Sequence, residues 1–271
     1  MDGGGSVAFS GIFHTFPPTA SACRQPAYQV PEQERTQVES VMKKVWFYIV
    51  CPPIVLNIGG LFLIAAIYAY KYAASPAPTA GTIQVSFSQI QFTLSVFIFF
   101  VEWFFAGLLI YGYRKSNVSI RPLFSRTANL FEFRWLPAIL LFVLFNAIFV
   151  GYLLYLTARM PDLSYRDISP LQIGLFMLFT PLTAAFTEEL IWRGHILSGL
   201  VLDGKKPGVA LFISAVSFTL IHGVFLPDKL VVTFLIGFLT GMYYLRERNL
   251  LPLIVTHWFV DVWSFGVFLL R

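Results

Sequence analysis

The sequence predicts an all-α fold, a polytopic bundle of about seven or eight transmembrane helices. Hydrophobic residues make up 57% of the 271-residue chain and charged residues only 12%. The mean hydropathy of +0.71 is far from the values of soluble proteins. Apolar stretches long enough to cross about 30 Å of hydrocarbon recur after residue 44. A membrane barrel would instead show short segments of alternating hydrophobicity.

Seven stretches have the length and composition of membrane spans. They cover about residues 45–72, 88–113, 136–158, 171–202, 208–226, 230–246 and 251–270. Because backbone polar groups must be satisfied inside the bilayer, each of these spans is predicted to be a helix. We divide the membrane part into N-terminal transmembrane helices at 45–170 and a core at 171–271.

The first 44 residues differ from the rest of the chain. They contain a glycine run at 3–5, four prolines and a polar stretch at 31–44. This composition predicts a flexible cytosolic tail, and the tail lacks the basic start and apolar centre of a cleaved signal peptide. Cys23 and Cys51 show neither metal nor disulfide spacing, so we expect two free thiols.

Lysine and arginine are distributed unevenly between the two sides of the predicted membrane domain. Fourteen fall in the tail and in the loops at 114–135, 193–207 and 246–250, and five fall on the opposite side. The positive-inside rule therefore places the N-terminus in the cytosol. We expect a multi-pass protein of the plasma or inner membrane of a prokaryote. Topology explains the basic pI of about 9.2 without a nucleic-acid partner.

Ionisable side chains within the spans are the informative residues. Each costs about 2.5–3.5 kcal/mol or more at mid-bilayer unless it is paired or hydrated. Glu102 stands alone in an early span, and we interpret it as a hydrogen bond within the bundle rather than as a catalytic group. The others lie within 74 residues of each other: Glu188, Glu189, His222, His257 and Asp261. This clustering indicates a functional site.

Helix geometry predicts that these groups converge. Glu188 lies 17 residues before the middle of the 203–207 turn, and His222 lies 17 residues after it. The two side chains should therefore lie at similar depth. His257 comes only nine residues after Arg248 in the next turn. A straight-helix count therefore places His257 nearer the cytosol than His222. A protruding turn or kinked helices would remove that mismatch.

Spacing along each helix suggests how the groups pair. Glu189 and Arg193 form an i,i+4 pair on one face, which favours a carboxylate–guanidinium contact. Glu188 lies about 100° around the helix, without that partner, and is a candidate general base. His257 and Asp261 also have i,i+4 spacing. In that pair the carboxylate could orient the imidazole and fix its tautomer.

Three segments resemble motifs of one known family. EELIWR at 188–193 resembles the E-E-x-x-x-R motif of the CAAX protease and bacteriocin-processing (CPBP, or Abi) family, to which the Rce1-like prenyl-protein endopeptidases belong. FTLIH at 218–222 is similar to its F-x-x-x-H motif, and HWFVD at 257–261 to its H-x-x-x-N/D motif. The resemblance covers about residues 171–270, which would form a CPBP-type catalytic core.

The resemblance implies helices packed around a conical intramembrane cavity, and peptide hydrolysis by an activated water without an acyl-enzyme. Carried over by position, Glu188 and His222 would activate the water. His257 and Asp261 would face the carbonyl oxygen as it becomes an oxyanion. The implied substrates are membrane-associated proteins or peptides, including prenylated CAAX-type substrates, and the implied partner surface is the lipid bilayer.

Two further site residues follow from the resemblance. Glu189 and Arg193 would hold the site together.

Asp261 departs from the family pattern, because Rce1-like members usually have asparagine there. An amide donates to an oxyanion whereas an ionised carboxylate repels it, so Asp261 must either be protonated or act by orienting His257.

The same residues allow other interpretations. No cofactor is expected, although two histidines and two glutamates could bind zinc in a zinc-dependent membrane protease. No H-E-x-x-H pair is present, and Ser217, Ser264 and the cysteines give no support for a nucleophile. A non-enzymatic transport protein would explain the intramembrane charges but not three ordered motifs. An inactive immunity or scaffolding protein that keeps the motifs is the other non-enzymatic alternative.

Two other features predict structure rather than chemistry. His195 lies near the cytosolic end of its span and is interpreted as a solvated helix histidine. Gly237 and Gly241 form a G-x-x-x-G spacing, which predicts close packing of their helix against a neighbour.

Overall fold

The structure is a computed structural model that describes residues 44–74, 87–125, 131, 133–159, 169–224 and 227–269. In those ranges it is a helical bundle, so the predicted all-α fold is confirmed. The predicted tail at 1–44 lies outside them apart from Lys44, and so does Cys23. Cys51 is a free, half-buried thiol.

Eight helices follow one another in the described ranges. They are α1 (Val45–Ala74), α2 (Phe87–Lys115), α3 (Arg121–Phe124), α4 (Trp135–Arg159), α5 (Pro170–Leu202), α6 (Pro207–Leu220), α7 (Pro227–Glu247) and α8 (Leu251–Leu269). Five of them, α1, α2, α4, α5 and α7, are long and apolar enough to cross a membrane. Large apolar side chains are exposed along these helices. The protein is therefore an integral membrane protein.

The predicted span at 208–226 is shorter in the structure than in the sequence analysis. Helix α6 ends at Leu220, and the chain turns through Gly223, whose φ of 94° suits glycine. Pro227 then starts α7. His222 consequently lies in a turn beyond the helix end, not inside a helix as predicted.

Helix α5 runs through the centre of the bundle and packs against α2, α6 and α8. It begins with a capping box, in which the Ser169 hydroxyl accepts from Gln172 N while the Gln172 side chain accepts from Ser169 N. From Glu189 to Leu197 it becomes π-helical, and all nine residues of this segment are buried. The sequence analysis expected a regular helix here. The Trp192 carbonyl accepts a hydrogen bond from Ser214 on α6.

Helix α1 is attached to the core by polar contacts around two consecutive prolines. Pro53 has no N–H group, so it cannot donate to the carbonyl of Ile49 one turn earlier. That carbonyl accepts a hydrogen bond of 2.8 Å from the Ser217 hydroxyl. Ser217 also accepts from the Trp192 indole at 3.1 Å. Ser217 thus links α1, α5 and α6, which is a structural role.

The turn between α7 and α8 is buried, unlike the exposed turn at 203–206. Leu250 N donates to the Phe124 carbonyl at 2.8 Å, and the Tyr244 hydroxyl donates to the Leu123 carbonyl at 2.8 Å. The short helix α3 therefore covers this turn. The 203–206 turn is exposed, whereas the Arg248–Leu250 turn lies inside the bundle. His257 therefore reaches the depth of Glu188, although it is fewer residues from its turn than Glu188 is.

Helices α6 and α7 pack closely where the glycines were predicted to allow it. A Cβ at Gly237 would lie 2.9 Å from the Phe218 ring and 3.4 Å from the Ala215 backbone. A Cβ at Gly241 would overlap Leu211. The predicted role of the G-x-x-x-G spacing is therefore confirmed.

Gly237→Ala is expected to destabilise the protein by about 1–3 kcal/mol, because the added methyl group overpacks the α6–α7 contact. Gly107→Ala on α2 is the matched control, since a Cβ there meets no atom within 4 Å. Unfolding in mixed micelles measures both variants. Equal stability of the two variants would contradict the close-packing interpretation.

Candidate active site

The Glu188 carboxylate lies between two imidazole rings. Its Oε2 atom is 3.7 Å from Nε2 of His257 and 4.0 Å from Nε2 of His222. The Glu188 and His257 side chains are 6% and 7% exposed, whereas His222 is 20% exposed. The cluster is thus closed around Glu188 and more open on the side of His222.

Glu189 binds the opposite edge of the His257 ring. Its Oε1 atom is 3.0 Å from His257 Nδ1 and 3.2 Å from Arg193 Nη1. Asp261, whose side chain is 21% exposed, places Oδ2 at 3.6 Å from His257 Nε2. If Nδ1–H donates to Glu189, the tautomer is fixed by Glu189 and Nε2 faces Glu188 and Asp261.

Arg193 is almost fully buried and is held on three sides. Its Nε and Nη2 atoms donate to the Thr240 hydroxyl at 3.0 and 2.6 Å. Its guanidinium carbon lies 4.0 Å from the centre of the Phe218 ring, within cation–π range. Phe218 also contacts the His222 ring edge to face, with centroids 4.7 Å apart. Arg193 therefore contacts the charged cluster through Glu189, and Phe218 contacts it through His222.

Asn57 of α1 binds both ends of the turn that carries His222. Its Nδ2 donates to the Leu220 carbonyl at 2.7 Å, and its Oδ1 accepts from Val224 N at 3.2 Å. His222 Nδ1 is 3.0 Å from the Phe218 carbonyl, which leaves Nε2 facing Glu188. A helix that ends within a membrane needs such partners for its freed backbone groups.

Residue counts along α2 and α4 place the cluster near the middle of these two candidate spans. Glu102, which contacts the site, is twelve residues before the basic end of α2 at Arg114. Phe145, whose ring centroid is 6.0 Å from that of His257, is ten residues after the start of α4 at Trp135. At about 1.5 Å per residue these counts give about 15–18 Å, or half of a bilayer core of about 30 Å.

The structure brings all six predicted site residues together, and it also adds three that the sequence analysis did not place there. Glu102 accepts a hydrogen bond of 3.1 Å from Thr187 and interacts directly with Glu188. Lys229, counted from the sequence as a loop charge, interacts electrostatically with Glu188 and Asp261. Asn57 is the third. In the sequence, the only indication that Asn57 and Glu102 belong to the site is that each is an isolated amide or carboxyl group in an apolar span.

His195 is not the solvated residue that the sequence analysis predicted. It is 0% exposed, and its Nδ1 atom is 3.1 Å from the Tyr113 hydroxyl. Its ring packs edge to face against Tyr48, with centroids 4.9 Å apart. The prediction was wrong because α3 and the buried turn at Arg248–Leu250 cover this end of the bundle.

Within the described ranges, no three His, Cys, Asp or Glu side chains are grouped so that they could hold a metal ion. The His257 ring lies within 4 Å of three carboxyl groups, those of Glu188, Glu189 and Asp261. Metal independence stays a prediction, and chelation tests it below.

Residues 170–263 match the family model described as type II CAAX prenyl endopeptidase Rce1-like. The predicted Rce1-like resemblance is confirmed. The matched segment contains the three motifs and the six predicted site residues, and it indicates a membrane protease of CAAX type. No curated protein and no solved structure matches the chain significantly. Asn57 and Glu102 lie outside the Rce1-like segment.

Asn57→Ala is expected to lower turnover by about tenfold to 100-fold, because the turn that positions His222 loses two hydrogen bonds. Asn146→Ala is the matched control, since among the described residues Asn146 donates only to the Phe142 carbonyl of its own helix, at 2.8 Å. Initial rates on a cleaved peptide compare the two. An Asn57 variant as active as the Asn146 variant would show that the turn holds His222 without α1.

Proposed function

We propose that the protein is a membrane-embedded endopeptidase that hydrolyses peptide bonds of membrane-associated proteins or peptides through a water activated by Glu188 and His222. The observation that supports this is the placement of Glu188 Oε2 within 4.0 Å of two imidazole Nε2 atoms, in a bundle of which five helices could cross a membrane. Contacts of 3.7 and 4.0 Å are longer than hydrogen bonds, so Glu188 Oε2 can still accept one from a water.

In the proposed reaction, Glu188 accepts a proton from the water as the water oxygen adds to the substrate carbonyl. The carbonyl oxygen becomes an oxyanion that accepts hydrogen bonds from Nε2–H of a protonated His257, whose Nδ1–H donates to Glu189, and from the protonated Asp261. The proton then passes to the amide nitrogen, the C–N bond breaks, and a carboxylate and an amine leave. Glu189 and Arg193 hold His257 in place and do not touch the substrate.

The location of the site supports the proposed substrate class. A peptide reaches a cluster inside the membrane most readily if an apolar anchor holds it there, and a prenyl group on a CAAX cysteine is one such anchor. The uneven distribution of lysine and arginine supports a cytosolic N-terminus and a C-terminus on the opposite side. The plasma or inner membrane of a prokaryote is the proposed location. A C-terminal reporter enzyme active only outside the cytosol would test this orientation.

Incubation of the purified protein with three peptides tests the function. One is a prenylated CAAX peptide, one is the same sequence with an acyl anchor, and one has no lipid. Mass spectrometry should show cleavage of the prenylated peptide. Cleavage of both lipidated peptides would show that a membrane anchor suffices. If none of the three is cleaved while the protein remains folded, the proposed CAAX-type function is wrong.

A chelation series distinguishes the zinc alternative. We expect the rate of peptide cleavage to be unchanged by strong chelators and by covalent serine and cysteine reagents, since no metal or side-chain nucleophile takes part in the proposed reaction. Loss of activity on chelation, with recovery on addition of zinc, would favour the zinc-dependent protease instead.

Asp261→Asn is expected to retain most activity, while Asp261→Ala loses about 100-fold or more, because an amide still donates to the oxyanion and a methyl group does not. The contact of 3.0 Å between Glu189 and His257 Nδ1 supports this, since the imidazole has a carboxylate to orient it without Asp261. A pH–rate profile of both variants is the measurement. An asparagine variant as inactive as the alanine variant would assign Asp261 to orienting His257.

A further inference from the structure

We propose that Glu102 is a positioning residue for Glu188: it keeps a proton and donates it in a hydrogen bond to the Glu188 carboxylate. That bond would fix which Glu188 oxygen faces the two imidazole rings. The inference rests on the proposed role of Glu188 as the general base. It extends the site to α2, outside the segment that matches the Rce1-like family.

The position of Glu102 is set by the contact between α2 and α5. The Thr187 hydroxyl donates to Glu102 Oε2 at 3.1 Å, and Thr187 immediately precedes Glu188 in the chain. Glu102 is 3% exposed and Glu188 is 4% exposed. Two buried acids therefore lie at the same α2–α5 contact, and each carboxyl group affects the ionisation of the other.

Two carboxylates in such a place cannot both be ionised, because like charges and the loss of water each oppose it. Glu102 Oε1 and Glu188 Oε2 are both buried without a hydrogen-bond partner among the described side chains and backbone groups. One retained proton between the two acids relieves the repulsion. It also supplies a donor that the pair otherwise lacks.

The surrounding charges indicate which acid keeps the proton. Asp261 opposes the ionisation of both acids. Glu188 also faces cationic or ionisable partners on four elements, namely Arg193 on α5, His222 in the turn after α6, Lys229 on α7 and His257 on α8. The other described partner of Glu102 is the Thr187 hydroxyl, which carries no charge. Negative charge is stabilised at Glu188, so the proton stays on Glu102.

This arrangement has a mechanical consequence for the base. The Glu188 carboxylate cannot rotate freely while it accepts a hydrogen bond from Glu102. Glu188 Oε2 therefore remains directed at His222 and His257. Glu102 gives up no proton in the reaction and touches no substrate. It restricts the orientation of Glu188, which is the proposed base.

The test compares Glu102→Gln with Glu102→Leu. Glutamine keeps a neutral donor of the same shape, so its turnover should stay close to wild type. Leucine removes the donor and should lower kcat by about 100-fold with little change in KM, because the base is misplaced while the substrate still binds. Thr183→Val is the matched control, since it removes another α2–α5 hydrogen bond, from Trp103 at 3.3 Å, one turn away.

Infrared difference spectroscopy supplies a readout that does not depend on activity. The difference spectrum of wild type minus Glu102→Gln should contain the carbonyl stretch of one protonated carboxyl group, and that band should remain in Asp261→Asn. Absence of this band from the difference spectrum, a glutamine variant as slow as leucine, or a Thr183 variant as slow as leucine would overturn the inference. If the wild type cleaves no peptide, the proposed function fails, while the infrared band still decides where the proton lies.

Discussion

Glu188→Gln is expected to lower the rate of peptide hydrolysis by about 10²–10⁴-fold without loss of folded protein. Glutamine keeps the shape of the side chain but cannot accept a proton from water, and general-base catalysis contributes about that factor. The variant should still bind the lipidated peptide, because no contact with the anchor is removed. Rates of product formation by mass spectrometry, together with a peptide-binding measurement, give the two quantities separately.

A control variant makes this result interpretable. Glu247→Gln is the same chemical change at the membrane edge, where Glu247 forms an ion pair with Arg134 at the start of α4. We expect the Glu247 variant to hydrolyse peptide at nearly the wild-type rate. Near-normal turnover by the Glu188 variant would mean that another group is the base.

Glu189→Leu is expected to lower the free energy of unfolding by about 3–5 kcal/mol, because it leaves the Arg193 guanidinium buried without its carboxylate. Arg193 is 1% exposed, and the remaining groups that contact its guanidinium, Thr240 and Phe218, carry no negative charge. Glu188 interacts with Arg193 electrostatically but does not form an ion pair with it in the described residues. Hydrolysis should be lost as well, since His257 Nδ1 loses its acceptor at 3.0 Å. Unfolding in mixed micelles and peptide cleavage measure the two effects.

The double variant Glu189→Leu with Arg193→Met separates stability from activity. Removing both charges replaces a buried ion pair by apolar groups, which is often neutral or stabilising. We expect most of the unfolding free energy to return while hydrolysis stays absent. Recovery of hydrolysis in the double variant would show that Glu189 does not act through His257.

The helices could be predicted from the sequence because lipid makes length and hydropathy decisive. The predicted spans at 45–72, 136–158 and 230–246 lie within α1, α4 and α7. The end of α6 at Leu220 could not be predicted in the same way, since residues 221–226 are mostly apolar and only Gly223 and Pro227 signal the turn. Hydropathy records the surroundings of a residue and not its backbone conformation.

The site could be predicted in part. Equal spacing from a tight turn correctly placed Glu188 opposite His222, because both helices extend from that turn. The depth of His257 could not be predicted, since it depends on α3 covering the Arg248–Leu250 turn, and that contact joins distant parts of the chain. Asn57 and Glu102 were missed or undervalued for the same reason. Only tertiary packing brings α1 and α2 to the motifs.

The π-helical segment Glu189–Leu197 has a consequence for the evolution and engineering of this protein. A π-helix is rare and usually short, whereas this one covers nine residues. Deleting one residue from it would let α5 relax to the commoner α-helix, and would shift Glu189 and Arg193, which lie inside the segment, relative to Glu188, which precedes it. Glu189 would then lose its contact with His257. A screen for stabilised variants of this protein should therefore also require activity.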